Sequence, residues 1–251
     1  MASLVPTGER TAPGLPDEEY WFARHEAAYA ALPALLQGLR GTVVDAGAGE
    51  GYGARALVAA GAATVIAVEY DEITCAHAAR TYADVEVVRA NLDALPLADV
   101  SVDALVSCQV IEHLWDLPRF LRECRRVLRP QGTIVVTTPN RLTFSPGLAR
   151  GMRPLNPFHV EEFDAEQVAA FLDDAGFVNA RVMALHHGAR LRDWEARHGS
   201  LVAAQVDAVL SSEWPDALRE MVASVTADDF EINDHDIDSC ADLIGIARVA
   251  A

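Results

Sequence analysis

A glycine-rich loop constrains the fold of this chain more than any other feature of its sequence. The apolar run at 42–44 leads directly into the loop at 45–53, DAGAGEGYG, and small helix-forming residues follow at 54–60. Glycines at alternate positions let the backbone turn sharply and bring its N–H groups against a ligand, beside the positive end of the following helix. The run therefore predicts a strand, a ligand-binding loop and a helix.

Strand-like and helix-like segments alternate along much of the remaining chain. Apolar runs typical of buried strands recur at 64–69, 85–89, 104–108, 133–138, 177–185 and 243–249. Helix-like segments between them lie at 73–82, 117–128 and 164–175. This alternation favours an α/β fold of right-handed βαβ units, in which ligands bind at the carboxyl ends of the strands. We predict a doubly wound, mostly parallel sheet of seven strands.

Three segments lie outside this alternation. Residues 1–41 begin as coil rich in turn-forming residues and continue into a helix-like stretch at 18–39, which predicts an N-terminal helical cover. A long loop at 140–159 follows the fifth strand. The helix-like segment 188–239 is too long for an ordinary connection, so we interpret it as a cap inserted in a single domain, 1–251. If the last strand is antiparallel, the cap begins and ends on the ligand side and overhangs the ligand.

Charge and cysteine content limit the partners and the compartment. Twenty basic against 37 acidic residues give a formal net charge of −17, which repels polyanions. The four cysteines are far apart without CxxC spacing, and the sequence shows neither a signal peptide nor a long apolar run. We expect a cytoplasmic protein that binds neither nucleic acid nor membranes. Homo-oligomerisation stays open.

The glycine pattern by itself allows two classes of ligand. The run GEGYGA at 49–54 satisfies the dinucleotide pattern G-x-G-x-x-A, and Glu69 lies about where a ribose-binding acid is expected. A nicotinamide-dependent oxidoreductase is therefore one interpretation. The carboxylates of Asp45 and Glu50 are unfavourable beside a pyrophosphate but suit an ammonium group and a sulfonium centre. Charge thus favours S-adenosylmethionine as the ligand.

Several short motifs together carry a family resemblance. They are VVDAGAGEG at 43–51, Glu69, ANLDALP at 90–96, QVIEHL at 109–114 and VLRPQGT at 127–133. With these motifs the chain resembles the class I S-adenosylmethionine-dependent methyltransferases. The resemblance implies that the loop holds the methionine part of the cofactor and that Glu69 binds both ribose hydroxyls. The cofactor-binding positions that it implies are Asp45, Ala46, Gly47, Gly49, Glu69, Tyr70, Asn91, Leu92, Gln109 and Val110.

Three of the residues that the resemblance points to have a second interpretation. Asn91 stands where many relatives carry aspartate, but its amide oxygen still accepts a hydrogen bond from adenine, so we expect recognition to survive. It could instead be a turn residue. Tyr20 and Arg24 lie in the aromatic-rich start of the N-terminal helix. Related enzymes often place such a helix over the cofactor and its arginine on the carboxylate. Alternatively, the helix packs on the core through its aromatic rings.

Four histidines lie at predicted strand ends or loops on the ligand-facing side of the sheet. Because a sulfonium is already activated, the protein mainly has to align the acceptor and exclude water. An alcohol acceptor also benefits from a base, which histidine supplies near neutral pH. His113 and His159 are the candidate catalytic residues. The candidate acceptor contacts are His186, His187, Asn156 and Phe158.

The acidic segment 228–238 raises the question of a metal ion. It is dense in the oxygen ligands that Mg²⁺ and Ca²⁺ prefer. It lacks EF-hand spacing, however, and a solvated acidic loop is the alternative. A Mg²⁺ requirement therefore stays open on the sequence.

A narrower resemblance concerns the methyl acceptor. The runs TGER at 7–10, EYWF at 19–22, NRLTFSPG at 140–147 and NPFH at 156–159, together with the acidic tail that contains a histidine, resemble actinobacterial methyltransferases linked to polymethylated polysaccharides. This resemblance implies that a hydroxyl of a small saccharide is methylated. The alternatives are another small metabolite such as a quinone precursor, the oxidoreductase, and a module that binds the cofactor without chemistry.

Overall fold

The computed structural model describes residues 11–15 and 17–251, so the run at 7–10 lies outside the described residues. The described chain forms an eight-stranded sheet in the order β3-β2-β1-β4-β5-β8-β6-β7. The strands are β1 Thr42–Ala46, β2 Thr64–Glu69, β3 Glu86–Arg89, β4 Val102–Cys108, β5 Leu128–Pro139, β6 Val178–His187, β7 Phe230–Asn233 and β8 Asp242–Arg248. Strands β1 to β5 pair in parallel, and β8 runs antiparallel between β5 and β6.

Helices cover both faces of this sheet. They are α1 Glu19–Leu35, α2 Tyr52–Ala59, α3 Glu72–Thr81, α4 Leu117–Val127, α5 Arg141–Phe144, α6 Ala165–Asp174, α7 Ala189–His198, α8 Leu201–Ser211 and α9 Asp216–Ala223. Alternate strand residues enter opposite cores: Val43 packs in the core that contains α1, α2 and α7 to α9, and Val44 packs in the core that contains α4 and α6. This period of two confirms the doubly wound arrangement.

Aspartate side chains define where several helices begin. Asp71, Asp116 and Asp164 each accept a hydrogen bond from a backbone N–H in the first turn of α3, α4 and α6. At α6 the Gln167 side chain completes a capping box. These caps satisfy N–H groups that have no partner inside the helix and fix the turn between each strand and its helix.

The prediction of seven strands is corrected by β7, which pairs antiparallel with β6 at the edge of the sheet. This strand lies within 188–239, so that segment is not helical throughout. The same segment leaves the sheet at the end of β6 and returns at the start of β8. Because β6 and β8 are antiparallel neighbours, these two points lie side by side. Its helix α9 contacts α1. A role for this segment as a cap over the acceptor stays a prediction.

The parallel strands bring their carboxyl ends to one edge of the sheet. The loop after β1, Glu69 at the end of β2 and residue Gln109 after β4 meet there. The segment after β5, predicted as a loop at 140–159, contains the short helix α5. No helix in residues 11–15 and 17–251 is both long and apolar enough to cross a membrane.

Candidate active site

The glycine loop uses backbone conformations that favour glycine. Gly47, Gly49 and Gly51 have φ angles of +83°, +53° and +100°. A Cβ atom on Gly47 would lie 2.5 Å from a methyl group of Val110, whereas one on Gly49 would meet no atom within 4 Å. Gly47 therefore allows close packing on the residue after β4, and Gly49 presents bare backbone to the neighbouring cavity.

That cavity has a volume of about 430 Å³, within the range usual for small-molecule sites. Eight of the predicted cofactor positions line it: Gly47, Gly49, Glu69, Tyr70, Asn91, Leu92, Gln109 and Val110. His113 and Phe158, predicted for catalysis and acceptor binding, line it as well. Glu50, singled out in the sequence for its charge, lines the cavity too. The other lining residues were not among the predicted positions: Thr11, His25, Tyr29, Ala48, Tyr52, Cys108 and Leu114.

Glu69 is held against the glycine loop. Its Oε2 accepts a hydrogen bond from the Gly49 N–H at 3.1 Å, and its Oε1 accepts from the N–H groups of Tyr70 and Asp71 at 3.0 Å each. Its carboxylate is thus fixed at the cavity wall, where the resemblance places the ribose hydroxyls. Asn91 is exposed beside it, and its side chain accepts a weak 3.4 Å hydrogen bond from the Asp93 N–H.

Asp45 supports the loop from behind. It is fully buried, and the Tyr29 hydroxyl donates to its two carboxylate oxygens at 3.0 and 3.2 Å. Burial raises the pKa of Asp45 to about 7, against the opposing effect of the Tyr29 hydrogen bond. Neither Asp45 nor its neighbour Ala46 is among the described residues that line the cavity.

Acidic groups surround the cavity. Glu50 and Glu69 line it, and Asp45 lies buried behind the loop. Glu50 contacts His77 Nε2 at 2.7 Å and accepts a hydrogen bond from the Tyr82 hydroxyl at 3.0 Å. Carboxylates around bare loop backbone suit a positively charged ligand such as a sulfonium with an ammonium group. The residues present therefore fit S-adenosylmethionine.

Helix α1 contributes to the cavity, but through other residues than those predicted. Tyr20 is buried and its hydroxyl lies 2.7 Å from His187 Nε2, while Arg24 pairs with Asp242 at 3.0 Å and donates to the Gln109 side chain at 2.6 Å. Neither Tyr20 nor Arg24 is among the described lining residues. Their contacts match the alternative in which the helix packs on the core.

His25 and Tyr29 are the α1 side chains that line the cavity. They are four residues apart, so they project from one face of the helix. His25 Nδ1 lies 2.7 Å from the Tyr52 hydroxyl, and burial together with the charge of Arg24 lowers the pKa of His25 to about 3. His25 is therefore a neutral polar group at neutral pH.

The two candidate catalytic histidines lie together. The rings of His113 and His159 meet edge to face with centroids 5.0 Å apart. His113 lines the cavity, whereas His159 is buried behind it, with its Nδ1 2.7 Å from Glu162 and its Nε2 3.0 Å from the Asn156 amide. Direct contact with a ligand in the cavity is thus open to His113, and His159 lies one layer further in.

The four candidate acceptor contacts separate into two groups. Asn156 and Phe158 lie beside the histidine pair, and the Phe158 carbonyl contacts His113 Nδ1 at 3.2 Å. His186 instead contacts the His235 carbonyl, and His187 bridges Tyr20 and Glu195. Neither His186 nor His187 is among the described residues that line the cavity.

The acidic segment 228–238 does not gather metal ligands. Asp229 pairs with Arg190, whose guanidinium lowers the pKa of that carboxyl. Within the described chain, three metal-ligating side chains converge elsewhere, at Glu112, His113 and His159.

The mostly parallel sheet, with the glycine loop and an acid at the ends of β1 and β2 and with β8 antiparallel between β5 and β6, is the arrangement expected for a class I methyltransferase. Comparison with known proteins bears this out. The methyltransferase domain family matches residues 44–136. A probable S-adenosylmethionine-dependent methyltransferase of Mycobacterium tuberculosis is 51% identical over 252 residues, which cover 98% of this chain and 90% of the relative. A second, from Mycolicibacterium smegmatis, is 47% identical over 253 residues, with 98% and 96% covered.

The chain belongs to the family of S-adenosylmethionine-dependent methyltransferases. A solved S-adenosylmethionine-dependent methyltransferase from Thermotoga maritima superposes with a TM-score of 0.61 at 21% identity, covering 92% of this chain and 94% of that one. This likeness confirms the predicted fold class. Family membership also decides between the two ligand classes that the glycine pattern allowed, in favour of the methyltransferase and against the oxidoreductase.

Proposed function

We propose that this enzyme is an O-methyltransferase that acts on a hydroxyl of a small saccharide. One observation carries the proposal: His113 lines the same cavity as Gly49 and Glu69. A histidine at the cofactor cavity is suited to receive the proton of an alcohol, whereas an amine acceptor needs no such group in its neutral form.

The residues of this site divide the work of methyl transfer. When bound, the cofactor supplies a methyl group activated by the positive charge on its sulfur. Gly49 and Glu69 would hold it, and the carboxylate of Glu50 would add favourable charge at the cavity wall. The methyl group would pass from the sulfur of the cofactor to the acceptor oxygen, leaving S-adenosylhomocysteine as the second product. The hydroxyl proton passes to the histidine pair, which His113 connects to the cavity.

Exposed aromatic rings at the cavity support a sugar acceptor. Phe158, a predicted acceptor contact, lines the cavity although the residue is 55% exposed, and Tyr70, a predicted cofactor position, lines it at 73% exposed. Such rings offer flat apolar faces that pack on the C–H faces of a sugar, while its hydroxyls stay hydrated. The resemblance to methyltransferases linked to polymethylated polysaccharides points to the same acceptor class. We also propose a cytoplasmic location, and size-exclusion chromatography will decide whether the enzyme is oligomeric.

Transfer of labelled methyl groups tests the proposal. The enzyme is incubated with labelled S-adenosylmethionine and a panel of short mannosides and glucosides, and the products are identified by mass spectrometry. We expect a methylated sugar, and we expect His113→Gln to lose turnover by about 100-fold or more with cofactor binding intact. His235→Gln, on an exposed histidine, is the matched control. Transfer only to phenols, such as a quinone precursor, or to amines or carboxylates would reject the saccharide.

A further inference from the structure

Three side chains of metal-ligating type converge beside the cofactor cavity. Glu112 and His113 lie in the turn after β4, and His159 lies in the segment before α6. One ligand atom from each lies within 4.8 Å of the other two. No other group of three histidine, cysteine or acidic side chains in residues 11–15 and 17–251 meets that spacing.

The Nδ1 atoms of His113 and His159 each contact a protein oxygen, and these contacts orient the two rings. His159 Nδ1 donates to the buried Glu162 carboxylate at 2.7 Å, which places the lone pair of that ring on Nε2. His113 Nδ1 contacts the Phe158 carbonyl at 3.2 Å and must donate there, so its lone pair also lies on Nε2. Metal-bound histidines almost always donate their other ring nitrogen to a carboxylate or carbonyl in this way.

Glu112 completes the cluster. Its side chain is 1% exposed, its Oε2 accepts a hydrogen bond from the Thr138 hydroxyl at 3.0 Å, and its Oε1 lies 4.0 Å from His113 Nε2. A cation beside this carboxylate would offset the cost of burying its charge.

We propose that Glu112, His113 and His159 bind one divalent first-row transition-metal ion, of which Zn²⁺ and Co²⁺ are the examples to test. Two imidazoles and one carboxylate suit these ions, whereas Mg²⁺ and Ca²⁺ prefer oxygen ligands throughout. The amide of Asn156, now 3.0 Å from His159 Nε2, has to turn aside on binding. This site is distinct from the acidic segment that the sequence singled out.

The ion would have a chemical role at the cavity. Three protein ligands leave a coordination position open, and His113 borders the space where an acceptor enters. A hydroxyl bound to the ion becomes more acidic, so His113 then acts as a ligand and the ion assists loss of the proton. This role rests on the proposed function, but binding of the ion does not.

Metal titration of the full chain tests the site without acceptor or cofactor. Protein freed of metal by a chelator is titrated with Co²⁺ and followed by its visible absorption, and Zn²⁺ is measured by competition. We expect one ion per chain, with bands typical of nitrogen and oxygen ligation, and no comparable binding of Mg²⁺ or Ca²⁺. Glu112→Gln, His113→Gln and His159→Gln should each weaken Co²⁺ binding by at least about 10-fold to 100-fold, the range for loss of even an outer partner.

Two further variants make the result decisive. Glu162→Gln, which changes only the partner of His159, should weaken Co²⁺ binding by about 10-fold to 100-fold. His235→Gln should bind Co²⁺ like the wild type. Circular dichroism confirms that each variant is folded. Co²⁺ affinity that is unchanged in His159→Gln and Glu112→Gln, or equal affinity for Mg²⁺, would overturn the site. If metal-free enzyme methylated saccharides, the ion would have no role in the reaction, but the binding site for the ion would stand.

Discussion

Gly47 and Gly49 are two residues apart in the loop but serve different purposes. Both have positive φ angles, so any L side chain at either position adds backbone strain of about 1–2 kcal/mol. At Gly47 a Cβ would also collide with Val110, while at Gly49 it would enter the cavity without touching protein. The first glycine therefore concerns packing and the second concerns ligand binding.

Alanine at the two positions should separate these effects. Gly47→Ala should lower the free energy of unfolding more than Gly49→Ala, because only the first forces Val110 to move. Gly49→Ala should stay folded and bind S-adenosylmethionine at least about 10-fold more weakly, because its methyl group occupies ligand space. Urea unfolding and calorimetry measure the two quantities. Equal cofactor affinity in Gly49→Ala and the wild type would contradict this account of the loop.

The buried carboxyl of Asp45 predicts a pH dependence of stability. Burial raises its pKa from 3.8 to about 7, so the folded state holds this proton more tightly than the unfolded state. Its contribution to stability is therefore present at pH 4 and is lost as the pH rises to about 7. Asp45→Asn should remove this loss, so the free energy of unfolding should fall less between pH 5 and 8 than in the wild type.

Asp103 supplies the matched control for the pH measurement. Burial acts to raise its pKa, but hydrogen bonds from Arg129 and the Thr42 N–H outweigh it and lower the pKa. Its stabilising effect is therefore lost only as the pH falls below about 4. Asp103→Asn should leave the slope between pH 5 and 8 unchanged. If Asp45→Asn and Asp103→Asn gave the same slope, the assignment to Asp45 would fail.

At the scale of elements, polar contacts fix how α1 lies on the sheet. Arg24 pairs with Asp242 at the start of β8, Tyr20 contacts His187 at the end of β6, and Tyr29 donates to Asp45 in β1. Because two of these contacts are buried and the Tyr20–His187 contact is partly buried, they determine which face of α1 points to the cavity. The face that results carries His25 and Tyr29.

Removing the arginine of this pair should destabilise the docked helix. Burial raises the pKa of Asp242 to about 6 and the charge of Arg24 opposes this, so Arg24→Met leaves a buried carboxyl without its partner. We expect a loss of about 3–5 kcal/mol in urea unfolding at pH 8. The double variant Arg24→Met/Asp242→Asn should regain part of it. A single variant as stable as the wild type would show that the pair does not hold α1.

The same contacts explain which elements could be predicted from the sequence. Strand β2 was predicted at its observed bounds, because an apolar run between turn signals needs only local information. Strand β7 was missed, since its four residues become a strand through pairing with the distant β6. The sequence pointed to α1 as a cover, but not to its cavity face. That face depends on Asp242 and His187, which lie far along the chain.

At the scale of the whole molecule, topology and charge act together. The parallel strands collect the glycine loop, Glu69 and His113 at one edge from three separate stretches of sequence. The acidic groups there match the formal charge of −17 of the chain in sign. Such a site attracts cations and repels polyanions. Each motif alone allowed several ligands. The motifs lie together at one cavity, and this placement and the family of the chain both favour S-adenosylmethionine.

Calorimetric titration of the folded chain with S-adenosylmethionine and S-adenosylhomocysteine tests this central claim most directly. We predict one binding site per chain, about 10-fold or greater weakening in Glu69→Ala, and wild-type affinity in Glu72→Ala, whose side chain is exposed on α3. NAD should not bind measurably. A well-folded protein that takes up neither adenosyl compound, or that binds NAD in their place, would contradict the account.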